Sequence, residues 1–115
     1  MRTRSRLIRS HGFTLIEIMI VVSLIALLAV IAIPSFVRAR SSSEKNVCLN
    51  NLRDIDGAKQ QWALENNKVN GDTPNNSDIS QYLKGNQLPE CPTRGVYAVG
   101  NVGVVPLCNV TGHTY

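Results

Sequence analysis

The chain has 115 residues, of which 43% are hydrophobic, 17% charged and 5% aromatic, with a net charge of +4. That is ordinary globular composition and the length of a single domain, so disordered and collagen-like classes are excluded. The apolar content is concentrated in one run, and the 82 residues outside it and its N-terminal flank are too few for a large cleft-bearing enzyme core.

Residues 1–12 contain Arg2, Arg4, Arg6 and Arg9 and no acid. Residues 13–115 balance eight basic against eight acidic side chains, so the whole excess charge precedes the apolar run. A nucleic-acid binder would carry its basic face on the folded part, so no nucleic-acid partner is expected. A basic flank ahead of an apolar segment reads instead as a topogenic signal that keeps the N-terminus cytoplasmic.

The segment Phe13 to Ile33 holds 21 residues and one charge, Glu17. At roughly 1.5 Å per residue it is long enough for a helix to cross about 30 Å of hydrocarbon. It is too long for the apolar core of a secretory signal, and the residues after it form no small-residue cleavage site. A carboxylate within such a helix costs about 2.5–3.5 kcal/mol at mid-bilayer and needs a partner or an interfacial position. One reading of Glu17 is interfacial, helped by the positive helix N-terminus. Pro34 either kinks the helix or ends the span.

Beyond Pro34, Ser42-Ser43-Glu44 fits a loop or a solvated helix face. Cys48, Leu52, Ile55 and Trp62 then follow helical spacing, with Ala58 and Lys59 straddling the missing turn. Arg53, Lys59, Gln60 and Glu65 are expected mostly on the polar sides. Gly57 weakens the helix by about 1 kcal/mol. The helix is expected to stop at Asn66-Asn67-Lys68, giving a nearly continuous element roughly 80 Å long.

The remainder reads as short pieces. Asp72 to Asn76 is a turn, and Ser77 caps a brief helix from Asp78 to Leu83 that Gly85-Asn86 ends. Gly95 to Val99 and Val104 to Cys108 read as strands joined by a turn at Gly100 to Gly103, with Pro106 fitting an edge strand. The expected fold is therefore α+β. A long N-terminal helix packs its second half against a small head with a short helix and a hairpin. The expected divisions are 1–12, 13–33, 34–66 and 67–115.

Three cysteines occur, Cys48, Cys91 and Cys108. In an oxidising compartment a disulfide is the default. Cys91 and Cys108 enclose the hairpin and could bridge it, adding about 3 kcal/mol in the chain-entropy picture. Cys48 would then be a small core residue, or else the partner of either other cysteine. Cys48, Cys91, Cys108 and His113 also make a Cys3His donor set suited to zinc. Their spacing contains no CxxC pair, so no metal and no cofactor are expected, and His113 is expected on the surface. No catalytic constellation stands out: Ser41 to Ser43 lack a base, and Asp54 and Asp56 diverge on the helix. Two sequons, Asn75-Asn76-Ser77 and Asn109-Val110-Thr111, carry little weight without a known host.

The stretch His11-Gly12-Phe13-Thr14-Leu15-Ile16-Glu17, with the basic leader before it and Pro34 after the apolar run, resembles the precursors of type IV pilins and type II secretion pseudopilins. The resemblance is to class III-type prepilins with a small head and covers residues 1–40. It implies that a prepilin peptidase cleaves between Gly12 and Phe13 and that Phe13 becomes the N-methylated terminus. It implies that Glu17 pairs with the N-terminal amine of a neighbouring subunit and sets register. It implies that Pro34 sits within a continuous helix, in a stretch that can unwind on assembly. The tail from Cys91 to Tyr115 is similar to the C-terminal pattern of one group of pilin-like proteins and lacks the acidic cluster of calcium-binding pseudopilins. The implied partners are copies of this chain in a helical filament, the inner membrane, the peptidase, a platform protein and an assembly ATPase. The implied path runs from the inner membrane to a periplasmic or cell-surface filament. The rival functions are a membrane-anchored binding module that never polymerises and a DNA-uptake pilin.

Overall fold

The computed structural model describes residues 9–114. The leader arginines Arg2, Arg4 and Arg6 fall outside the described residues. In order come α1 (Leu15–Glu65), α2 (Asn76–Ser80), a 3-10 turn (Lys84–Asn86), β1 (Tyr97–Ala98) and β2 (Leu107–Cys108). The fold is α+β, as the sequence implies.

The chain divides into two compact units, one ending at Val37 and one beginning at Arg38. The first is the apolar half of α1, long and apolar enough to cross a membrane. Its side chains are exposed almost throughout, from Phe13 to Val37. Ser23 donates its hydroxyl to the Met19 carbonyl at 2.7 Å, so this polar group is satisfied within the helix. Pro34 lies inside α1. Having no N–H, it cannot donate to the Val30 carbonyl one turn back.

In the second unit α1 supplies a buried stripe of Cys48, Leu52, Ile55, Ala58, Lys59, Trp62 and Ala63. Against it pack Ile79, Leu83, Cys91, Tyr97, Val99, Val102 and Cys108. The serine stretch is helical, and Glu44 accepts an exposed i,i+4 ion pair from Arg40 at 3.0 Å. Lys59 corrects the expectation of a polar-side residue, for it is fully buried. Its Nζ donates to the carbonyl of Val99 at 2.9 Å and to that of Val104, with Asp56 at 3.6 Å. Burial lowers its pKa, and Asp56 partly opposes that.

The helix stops as capping chemistry dictates. Asn67 takes a left-handed φ of 51°, and the Lys68 N–H reaches the Ala63 carbonyl at 2.8 Å, a Schellman closure with Asn in the glycine position. The short helix α2 starts earlier than Ser77. Asn75 is its cap, because the Asp78 carboxylate reaches back to the Asn75 N–H at 2.9 Å.

The two strands pair antiparallel, Tyr97 opposite Cys108 and Ala98 opposite Leu107, and are only two residues each. The expected five-residue strands do not form, for a physical reason. The carbonyls of Val99 and Val104, at the two ends of the intervening loop, are taken by Lys59 rather than by a ladder. Pro106, buried beside β2, has no N–H to offer. The loop is held instead by Val102, whose N–H and carbonyl bond Asp72 at 2.8 Å and Gly71 at 3.0 Å.

Candidate functional site

Two places in the molecule gather chemistry, one in each unit. In the first, residues 9–14 precede α1 without regular structure, and Gly12 and Phe13 are exposed. Among the described residues, nothing lies within 4 Å of where a Gly12 side chain would be. Thr14 and Glu17 then close the helix reciprocally. The Thr14 N–H donates to Glu17 Oε2 at 2.9 Å, and the Glu17 N–H donates to Thr14 Oγ1 at 3.3 Å. This is a capping box, and both of its donors would otherwise be orphaned at the helix start. Its signature, Thr-x-x-Glu, stands in the sequence at Thr14 to Glu17.

In the second unit, Cys48, Cys91, Cys108 and His113 are all buried, and their ligand atoms lie within 4.8 Å of one another. Cys48 comes from α1, Cys91 from the segment after the 3-10 turn, Cys108 from β2 and His113 from the terminal turn. All three cysteines are free thiols, so the Cys91–Cys108 bridge expected from their spacing is not formed in this structure, nor is one through Cys48. His113 is a correction. It is 7% exposed rather than a surface residue. Its N–H bonds the Val110 carbonyl at 3.1 Å, Gly112 supplies a φ of 85°, and this turn lays the ring against Cys91. His113 Nδ1 is 3.5 Å from Cys91 Sγ.

The thiols differ in character. Burial pushes the Cys48 thiol up to about 11, and its sulfur neighbours add to this while Tyr97 opposes it. Burial also acts upward on Cys91. It is outweighed by hydrogen bonds from the Thr93 side chain and backbone, the Gly95 backbone and His113, which bring the thiol down to about 6. Asn51 fixes Tyr97, donating to its hydroxyl and to the Glu90 carbonyl, each at 3.1 Å. A cavity of about 480 Å³ beside the cluster is lined by Leu88, Pro89, Arg94, Val96 and Tyr97 among others.

Comparison with known proteins turns on the N-terminal place. Residues 7–33 match the family described as Prokaryotic N-terminal methylation motif. The chain is 40% identical over 60 residues to the type IV major pilin protein PilA of Myxococcus xanthus, covering 52% of this chain and 27% of that one. It is 30% identical over 105 residues to the type IV wide pilus major component PilA4 of Thermus thermophilus, covering 91% of this chain and 75% of that one. It is 28% identical over 60 residues to the type II secretion system core protein G of Klebsiella pneumoniae, covering 52% of this chain and 43% of that one. No solved structure matches. A methylation motif at the head of an uncovered apolar helix, together with similarity to a pilin along nearly the whole chain, leads to one conclusion: the chain belongs to the type IV pilin and pseudopilin family.

Proposed function

We propose that this chain is a structural filament subunit whose apolar helix is cleaved at Gly12–Phe13, N-methylated at Phe13 and polymerised with copies of itself. The observation that carries the reading is the apolar half of α1, exposed on every side within its own chain. Such a surface is stable only in lipid or against neighbouring helices. The basic leader supports an N-in orientation in the inner membrane, with the head on the outer side. Residues 1–12 act as the leader, 13–33 as membrane and filament-core helix, 34–66 as its amphipathic continuation and 67–115 as the head. Of the two kinds of filament, the pilus is favoured, because a relative matched over 91% of the chain is named as a pilus component.

In this reading Glu17 has two successive roles. In the lone subunit it caps its own helix; in the filament its carboxylate meets the charged N-terminal amine of a neighbour, where low dielectric strengthens the pair. Pro34 leaves a carbonyl unpaired in mid-helix and so marks where the helix can open on assembly. The platform protein, ATPase and peptidase are partners inferred from the family.

One substitution separates capping from assembly. Glu17→Gln preserves a capping box, which accepts either residue, and removes the charge. We expect it to leave cleavage and membrane insertion intact and to abolish filaments seen by electron microscopy. Wild-type filament yield from Glu17→Gln, or a membrane-extracted chain that retains Met1 by mass spectrometry, would overturn the proposal in favour of a solitary anchor.

A further inference from the structure

We propose that Cys48, Cys91, Cys108 and His113 form a tetrahedral Cys3His zinc site that fastens the C-terminal tail and the Cys91 loop to α1. The donors converge from four separate segments, and all four are buried. Zinc bonds of about 2.3 Å to sulfur and 2.0–2.1 Å to nitrogen set tetrahedral edges of about 3.8 Å between sulfurs and about 3.6 Å between sulfur and nitrogen. The Cys91 Sγ to His113 Nδ1 distance is already 3.5 Å, and the whole set falls within 4.8 Å. Small side-chain rotations close it on an ion.

The surroundings are those of a metal-bound thiolate. Cys91-Pro92-Thr93-Arg94-Gly95 folds into a tight turn: the Arg94 N–H bonds the Cys91 carbonyl at 2.9 Å, and Arg94 adopts a φ of 63°. The turn aims the backbone N–H groups of Thr93 and Gly95 at the Cys91 sulfur, with the Thr93 hydroxyl 3.2 Å away. A side chain at Gly95 would crowd the site, since a Cβ would stand 2.7 Å from Cys108 Sγ and 2.6 Å from Val110 Cγ2. On the other side Tyr97 hydrogen-bonds Cys48 and is itself held by Asn51. Outer partners of this kind orient ligands and tune their donor strength.

Donor number favours the ion over a disulfide. Any one bridge among three cysteines strands the third thiol and the imidazole in the same buried pocket, whereas zinc uses all four groups. On binding, the three thiols release their protons to solvent and bind as thiolates. The imidazole stays neutral, ligating through Nδ1 with its proton on Nε2, and no redox partner is needed. Thiolate softness and tetrahedral geometry select zinc among divalent ions. The strands span two residues each, so a metal staple is a natural stabiliser for this head.

The test uses the full chain extracted from membranes in detergent. Elemental analysis should find equimolar zinc, and thiol alkylation should be blocked until a chelator and denaturant are added. The metal-free chain refilled with cobalt should show the thiolate charge-transfer band and strong tetrahedral d–d absorption. His113→Ala should weaken zinc binding by roughly 100-fold or more, and Tyr97→Phe by about 10–100-fold. His113→Cys should keep the metal and move the cobalt bands to those of a four-sulfur site. That variant preserves a readout even where removal of a ligand unfolds the head. A zinc-free chain with a disulfide between any two of the cysteines, or a reduced chain that ignores cobalt, would overturn the proposal. The site stands apart from the filament reading, so Glu17→Gln should lose filaments and keep its zinc.

Discussion

At the scale of single residues, Lys59 has the largest consequence for the head. Its ammonium satisfies two loop carbonyls that lie 40 and 45 residues further along the chain. Lys59→Met keeps most of the volume but removes both donors. It should destabilise the head by about 2–5 kcal/mol, measured as a shift in denaturant midpoint. The spacing could have revealed this residue: Cys48, Leu52, Ile55, Lys59 and Trp62 step by four and three along one helical face. A lysine on that face reads as solvated only because its usual habit outweighs its position. Tyr82 gives a second check. The hydrogen bond to Glu65 chiefly raises its pKa, with desolvation and the carboxylate charge adding to it. A raised acid contributes stability that is full below its ordinary value near 10 and lost as pH rises through the raised value. The Tyr82 phenolate should therefore appear late in an alkaline titration, and Glu65→Gln should advance it.

At the scale of elements, two glycines make opposite predictions. Gly57 lies exposed in α1 with no described residue within 4 Å of an added Cβ, so Gly57→Ala should raise stability by about 0.5–1 kcal/mol. Gly95→Ala drives a methyl into Cys108 and Val110 and should cost about 1–3 kcal/mol in the same thermal unfolding assay. The long helix and its buried stripe were legible in the sequence, because periodicity over many turns is a strong signal. The short strands and the α2 cap were less so. Their bounds depend on bonds from elsewhere: Lys59 to the loop, Asp72 to Val102, Asp78 back to Asn75. The Cys3His set was visible as residue types, but spacings of 17 or more between cysteines say nothing about convergence. Only the turn at Gly112 and the short β pair bring His113 and Cys108 to Cys91 and Cys48.

At the scale of the whole molecule, the two units ask for different surroundings. Every residue of the hydrophobic core lies between Cys48 and Cys108, while 17 large apolar side chains between Phe13 and Val37 remain exposed. A chain beginning at Arg38 should stay in the aqueous phase and unfold cooperatively. The full chain should partition into the detergent phase. Leaving the first unit in water would cost on the order of 30 kcal/mol, so no free aqueous state of the full chain is tenable. On the filament reading this fixes the direction of growth. A helix that can never cross open solvent must pass straight from lipid into protein, so new subunits enter at the end that touches the bilayer, and the oldest copies are carried farthest from the cell.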